Sequence, residues 1–88
     1  MLMTPLKLVR LRGGLAQIQL AQAAGILRSR LSEIESGYVS PSDSELERLA
    51  FALGLDLDDL QAAAAHTKAL AKSIREDSHK PHGLEPEK

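Results

Sequence analysis

Apolar residues recur along this chain at intervals of three and four, the spacing that places side chains on one face of a helix. Four of the five segments with this spacing end at a glycine. Thr4, Ser42 and Asp56 directly precede the first, fourth and fifth segments. Glycine is favoured just beyond a helix C-terminus, and serine, threonine and aspartate cap helix N-termini. The sequence therefore predicts an all-α fold of five helices, over residues 5–12, 17–24, 28–36, 42 or 43–53, and from about 57 onward.

The second and third predicted helices are joined by only about three residues around Gly25. So short a link forces a steep crossing of the two helices, which is the helix-turn-helix geometry. Ala21 and Ala24 are small enough for the helices to approach closely, and Ile26 suits the core beneath the turn. The outer face of the third helix then carries polar side chains of the kinds that read base edges in the major groove of DNA, namely Arg28, Ser29, Ser32 and Glu33.

Composition indicates one small globular domain rather than a disordered chain, because 43% of the 88 residues are hydrophobic and 26% are charged. The aromatic residues are Tyr38 and Phe51, so the core has to consist of aliphatic side chains. The chain has no cysteine, which excludes disulfides and is compatible with the cytoplasm. No apolar run is long enough to cross a bilayer, so we expect no membrane partner and a cytoplasmic location.

The net charge of −1 conceals an uneven distribution of charge along the chain. Residues 1–40 carry five basic and two acidic groups, whereas residues 41–62 carry one basic and six acidic groups. A domain polarised in this way can turn its positive half towards a polyanion. The net charge of −1 disfavours a non-specific nucleoid protein.

Catalytic and metal-binding patterns are missing from the sequence. His66, His79 and His82 have no partners at metal-ligand spacing, and the sequence shows no nucleophile–base set, phosphate loop or convergent pair of carboxylates. We therefore expect no enzyme activity, no cofactor and no metal.

The run from Leu6 to Leu60 resembles the phage-repressor helix-turn-helix family, also called Cro/C1-type or XRE, over five consecutive helices without an insertion. A lone helix-turn-helix match is weak, but agreement over the whole five-helix register is specific. The positions that carry the resemblance are Leu6, Val9, Arg10, Leu15, Gln17, Leu20, Ala21, Gly25, Ile26, Leu31, Ile34, Glu35, Gly37, Pro41, Leu46, Leu49, Ala50, Ala52, Leu53, Gly54, Leu57 and Leu60.

The resemblance implies roles for individual residues. Arg10 and Glu35 match a pair that forms a buried salt bridge in relatives, and Gln17 matches a residue that contacts phosphate at the start of the second helix. The base-reading positions of the family fall on Arg28, Ser29 and Glu33, with Ser32 nearby. We also expect Arg30 to contact a base or a phosphate, and Tyr38 and Ser40 to contact phosphate.

Some positions depart from the family pattern. Ala16 and Leu27 stand where the family has serine or threonine caps, and each lost cap costs about 1 kcal/mol. Leu27 would be an exposed apolar group near DNA, where it can touch a thymine methyl group. Glu33 would be costly beside phosphates unless it reads a base or pairs with Arg30.

The segment after the family match has a helical pattern of its own. It is rich in alanine, and its apolar positions follow the a/d spacing of a coiled coil. Such a seam either packs back on the same chain or meets a second subunit, and we favour a homodimer. We divide the chain into a DNA-binding domain (1–61), a helical extension (62–77) and a disordered polar tail (78–88). The seam residues are Leu60, Ala63, Thr67, Leu70 and Ile74.

The sequence thus favours a dimeric, sequence-specific regulator that binds double-stranded DNA, most simply a repressor that reads a roughly palindromic operator with its third helix. The competing hypothesis is a protein-interaction module. In that case the chain is an antitoxin-like or adaptor protein whose last helix binds a partner such as a toxin, with DNA binding secondary. Alanine at Arg28 and Ser29 separates the two hypotheses, because it abolishes function only in the first.

Overall fold

The computed structural model describes residues 3–79, and their side chains as far as residue 73. These residues form five α-helices and no strand, which confirms the predicted all-α fold. The first four helices begin and end within a residue of the predicted positions, and the fifth begins at the predicted residue, Leu57. They are α1 (Pro5–Arg12), α2 (Gln17–Ala24), α3 (Arg28–Ser36), α4 (Asp43–Leu53) and α5 (Leu57–His79).

Local hydrogen bonds explain where α1 and α4 begin. The Oγ1 atom of Thr4 accepts the N–H of Lys7 at 3.3 Å, and Pro5 occupies the first turn of α1. At α4 the cap is reciprocal, because Ser42 Oγ accepts the N–H of Glu45 at 3.1 Å while Glu45 Oε1 accepts the N–H of Ser42 at 2.8 Å. These bonds form within four residues of sequence, so the pattern alone can predict them.

The starts of α2 and α3 lack such caps. Neither Ala16 nor Leu27 has a side chain that can accept a hydrogen bond, as the sequence indicates. Gln19 supplies half of a reciprocal cap at α2, since its Oε1 atom accepts the N–H of Ala16 at 2.7 Å. The first N–H groups of both helices therefore have no capping side chain.

The core is aliphatic and lies where all five helices meet, as the composition requires. Both aromatic side chains are outside it, and that of Phe51 is 89% exposed. Helix α5 packs against α1, α3 and α4, whereas α2 packs mainly against α3 and α4. The most deeply buried side chains are those of Leu31, Ile34, Leu49, Leu60 and Thr67.

The position of α5 corrects part of the dimer prediction. Leu60 and Thr67 are 0% exposed, and Thr67 Oγ1 accepts the N–H of Leu6 in the first turn of α1 at 3.0 Å. This part of the seam packs back on its own chain, so assigning these two residues to a contact with a second subunit is wrong. Ala63 and Leu70 are half-buried, and the side chain of Ile74 lies outside the described residues.

The predicted boundary between the helical extension and the tail also differs from the structure. Helix α5 runs without interruption from Leu57 to His79, so it includes the first two residues of the predicted tail. The remainder of that tail, residues 80–88, lies outside the described residues. A long alanine-rich segment favours continuous helix, which explains why α5 does not stop at the end of the family match.

Candidate nucleic-acid interface

A buried polar network joins α1, α2 and α3 beneath the exposed face of α3. Arg10 Nε donates to Glu35 Oε2 at 2.7 Å, and Arg10 Nη1 donates to the carbonyl oxygen of Leu15 at 2.9 Å. Glu35 Oε1 accepts from Gln17 Nε2 at 3.1 Å. Both charged side chains are buried, so each compensates the other where water cannot. The network fixes the start of α2 relative to the end of α3.

The sequence did not indicate the part that Thr4 takes in this arrangement. Besides capping α1, its hydroxyl donates to the backbone carbonyl of Glu35 at 2.6 Å, and the side chain is buried. One residue therefore ties the N-terminus of α1 to the last turn of α3. Threonine at a helix start predicts the cap, but no sequence signal predicts a contact with a residue 31 positions away.

The turn between α2 and α3 is held from outside by α4. Gly25 has a φ angle of +67°, the left-handed conformation predicted for it. Arg48 Nη1 donates to the carbonyl oxygens of Ala24 at 3.2 Å and Gly25 at 3.0 Å, which are free acceptors at the end of α2. The sequence offered only one signal for Arg48, namely that it is the single basic residue in an acidic segment.

The predicted base-reading residues lie together on the surface. Arg28, Ser29, Ser32 and Glu33 are all exposed on α3. An open cleft of about 310 Å³ lies between this face and the start of α2, lined by Gln17, Arg28, Ser29 and Ser32. Among residues 3–73, the guanidinium group of Arg28 makes no hydrogen bond or ion pair within the chain, so it can bind a ligand.

Arg30 does not match its predicted role. Its guanidinium group makes two parallel hydrogen bonds with Glu45 on α4, Nε to Oε2 at 3.0 Å and Nη2 to Oε1 at 2.9 Å. A third, longer bond of 3.4 Å reaches the carbonyl oxygen of Ser40. Arg30 therefore joins α3 to α4, and the predicted contact with DNA is not supported. The alternative pairing of Arg30 with Glu33 is also wrong, because Glu45 occupies the guanidinium group instead.

The ion pair between Arg30 and Glu45 makes the stability of the fold depend on pH. The pKa of Glu45 is lowered from 4.5 to about 2. The main cause is the hydrogen bonding from Arg30, and the hydrogen bond from the N–H of Ser42 adds to it. Because the pKa is lower in the folded chain, the stabilisation is complete above about pH 5 and is lost as the pH falls from 4.5 towards 2. We expect Glu45→Gln to lower the Tm at pH 7, and the difference from wild type to shrink below pH 4.5.

Thermal unfolding of both proteins at pH 7, 5, 4 and 3 measures this difference. Glu47→Gln on the exposed side of α4 removes the same charge without an ion pair within the described residues, and serves as the control. A Tm difference for Glu45→Gln that stays constant down to pH 3 would contradict the role assigned to the pair.

Charge compensation makes the positive half of the chain weaker than the residue count indicates. Arg10 pairs with Glu35, which the count for residues 1–40 already includes, and Arg30 pairs with Glu45 from the acidic segment, which the count does not include. The exposed charge on the outer face of α3 consists of Arg28 and Glu33. A surface with one basic and one acidic side chain attracts a polyanion only weakly by its overall charge.

The residues predicted to contact phosphate lie at the start of α2 and in the loop after α3. Tyr38 and Ser40 are exposed in the loop after α3, and Gln17 is half-buried at the start of α2, where it is bonded to Glu35. Within residues 3–79, no helix is long and apolar enough to cross a membrane. His66 is exposed on α5, and the same part of the chain shows no cluster of three residues able to hold a metal ion.

Comparison with known proteins gives a family match and two phage relatives. A family model described as "Helix-turn-helix" matches residues 6–60. The "Immunity repressor protein" of Bacillus phage phi105 is 33% identical over 94 aligned residues, which cover 90% of this chain and 65% of the relative. The "ImmF control region 10 kDa protein" of the same phage is 43% identical over 47 residues, covering 53% of this chain and 52% of the relative. No solved structure gives a significant match. The chain thus spans less than two thirds of the length of these relatives.

Proposed function

The chain belongs to the phage-repressor (Cro/C1-type, XRE) helix-turn-helix family of DNA-binding transcriptional regulators, and we propose that it represses transcription by binding a roughly palindromic operator as a dimer. One relative is named an immunity repressor, which supports repression rather than activation. The observation that carries the proposal is the cleft between α2 and α3, where the guanidinium group of Arg28 is exposed and unpaired among the described side chains.

Base reading is assigned to the exposed face of α3. Arg28 lies in the first turn, the part of a recognition helix that enters the major groove, and a guanidinium group matches the O6 and N7 atoms of guanine. Ser29 and Ser32 are small donors and acceptors that let the helix approach the bases closely. Glu33 accepts from the amino group of cytosine, which offsets the cost of placing a carboxylate among phosphates. Arg30 has no part in this assignment.

Phosphate binding is assigned to the two edges of the same face. The first N–H groups of α2 have no capping side chain, and they carry the positive end of the helix dipole. Gln17 has one amide hydrogen engaged by Glu35, and the other is left for a phosphate oxygen. Tyr38 and Ser40 contact the backbone on the far side of α3. These contacts set the register of the protein on DNA but do not choose the sequence.

The proposed dimer places two α3 helices about 34 Å apart, one turn of DNA, on the two halves of the operator. The interface cannot include Leu60 and Thr67, which are buried within the chain. It can include the half-buried Ala63 and Leu70 on α5. A partner protein on α5, such as a toxin, is the competing hypothesis. Both the dimer and the partner are proposals.

Selection from a pool of random duplex DNA at fixed salt, followed by sequencing, tests operator binding. We expect wild-type protein to enrich a palindrome, and Arg28→Ala to lose or relax the preference at one position in each half-site, with affinity for the best site reduced about 5- to 150-fold. Arg12→Ala removes an exposed positive charge from α1 and serves as the control. It is expected to weaken binding to all sequences alike and leave the selected sequence unchanged.

Two outcomes would contradict the proposal in different ways. If no sequence is enriched above the salt-dependent background, the chain does not bind an operator on its own, and the protein-interaction hypothesis gains support. If Arg28→Ala selects the same sequence as wild type, operator binding stands but α3 does not read bases through this residue.

A further inference from the structure

Leu27 carries an exposed apolar side chain on a backbone that hydrogen bonds hold in place. It is 75% exposed at the N-cap of α3, directly before Arg28. Its carbonyl oxygen accepts the N–H of Leu31 at 2.9 Å, and the residue before it, Ile26, is buried in the core and donates its N–H to Ala21 at 2.9 Å. The backbone on both sides is thus fixed, and the side chain projects at the end of α3 that carries Arg28 and Ser29.

Leucine has no structural advantage at this position. It cannot accept a hydrogen bond from the first turn of α3, so the helix lacks a side-chain cap, and most of its own surface stays in water. Leu27 precedes Arg28, which lines the polar cleft, and its exposed apolar surface gains free energy of burial only when a ligand covers it. Within the proposed function, that ligand is the floor of the major groove.

We propose that Leu27 determines specificity by packing against the 5-methyl group of a thymine in the operator. The inference rests on the proposed function and adds a contact to it. Among the base edges of the major groove, thymine alone carries a methyl group, because cytosine has only a hydrogen at the same ring position and the purines present N7 with O6 or the N6 amino group. Leu27 would therefore recognise its base by apolar contact, whereas Arg28 and Ser29 would recognise neighbouring bases by hydrogen bonds.

Replacing single thymines by deoxyuridine in the selected operator isolates the contact, because this change removes the methyl group and keeps base pairing. With wild-type protein, we expect one thymine in each half-site whose replacement weakens binding about fourfold. With Leu27→Ala, the same replacement should change the Kd less than about 1.5-fold, since the partner of the methyl group is gone. Titration of labelled duplexes at fixed salt gives all four dissociation constants.

Two further variants separate base reading from a structural effect. Ile18→Ala removes an exposed aliphatic side chain from the first turn of α2, where phosphates rather than base edges are expected, so the penalty for deoxyuridine should remain. Leu27→Ser restores a side-chain cap, so it should raise the Tm and still lose the thymine preference. If Leu27 served only the fold, a variant with a higher Tm would not lose the thymine preference.

The outcomes distinguish this inference from the function on which it rests. An operator that depends on Arg28 but tolerates deoxyuridine at every thymine would overturn the role of Leu27 and leave the proposed function intact. A penalty that persists in Leu27→Ala would assign the methyl group to another side chain and also overturn it. If no operator is selected at all, the proposed function fails first, and this inference fails with it.

Discussion

Replacing Arg10 with alanine is expected to lower the free energy of unfolding by about 3–5 kcal/mol. The substitution leaves the carboxylate of Glu35, only 3% exposed, without the guanidinium group that donates to it at 2.7 Å. It also removes the donor to the carbonyl oxygen of Leu15. Small domains are stable by only about 5–15 kcal/mol, so this loss would remove a large part of the stability of the fold. Denaturant unfolding followed by circular dichroism gives the difference.

Arg12→Ala is the matched control, because Arg12 is an exposed arginine on the same helix. We expect it to change stability by less than about 0.5 kcal/mol. The double variant Arg10→Met with Glu35→Leu removes both buried charges and should be more stable than Arg10→Ala. If Arg10→Ala and Arg12→Ala unfold at the same denaturant concentration, the buried pair does not stabilise the fold as argued.

Replacing Gly37 with alanine is expected to cost about 2–5 kcal/mol, the sum of a left-handed backbone penalty and an overpacking penalty. Gly37 ends α3 with a φ angle of +82°, which disfavours any residue with a Cβ atom. A Cβ atom there would lie 2.6 Å from the Cβ of Ala71 and 2.8 Å from the carbonyl oxygen of Thr67. Both contacts are with α5, so the substitution forces α5 away from the end of α3.

Gly14→Ala separates the two penalties. Gly14 has a similar φ angle of +75°, but a Cβ atom there would have no neighbour within 4 Å. We expect this control to cost only about 1–2 kcal/mol, the backbone penalty alone. Thermal and denaturant unfolding of both variants measure the difference, which reports the contact between α3 and α5. Equal losses in the two variants would mean that α5 can move aside at no cost.

These two sites explain how α3 is supported. The last turn of α3 is held by α1 through Thr4 and Arg10, which bond to Glu35, and by α5 through the close approach at Gly37. Arg30 joins the first turns of α3 to α4. The exposed face with Arg28 is thus presented by a helix that is fixed at both ends. A rigid face suits base reading, because little conformational entropy is lost when DNA binds.

The helix boundaries were predictable because the interactions that set them are local. Thr4 and Ser42 cap helices within three residues of themselves, and Gly25 and Gly37 take conformations that other residues disfavour. The grouping of the polar residues on α3 was also predictable, since helical spacing fixes which side chains share a face. The family resemblance placed Arg10 and Glu35 at matching positions, and the structure brings them together.

The partners of Arg30, Arg48, Thr4 and Thr67 were not predictable from the spacing of residues. Each of these side chains bonds to an atom 15 or more positions away, on a helix whose orientation depends on the whole core. On a helix surface, Arg30 could equally have paired with Glu33, contacted DNA or remained in water. The proximity of Glu45 decides between these possibilities, and that proximity follows from where the core places the start of α4.

The sequence by itself determined five helices, the turn between α2 and α3, and the polar face with Arg28, because these depend on periodicity and on interactions within a few residues. Tertiary structure alone decided which polar residues support the fold and which remain exposed without a partner within the described residues. It also decided that α5 buries Leu60 and Thr67 within its own chain. A seam of apolar residues has the same spacing whether its partner is its own chain or a second copy. Only the position of the other helices distinguishes the two.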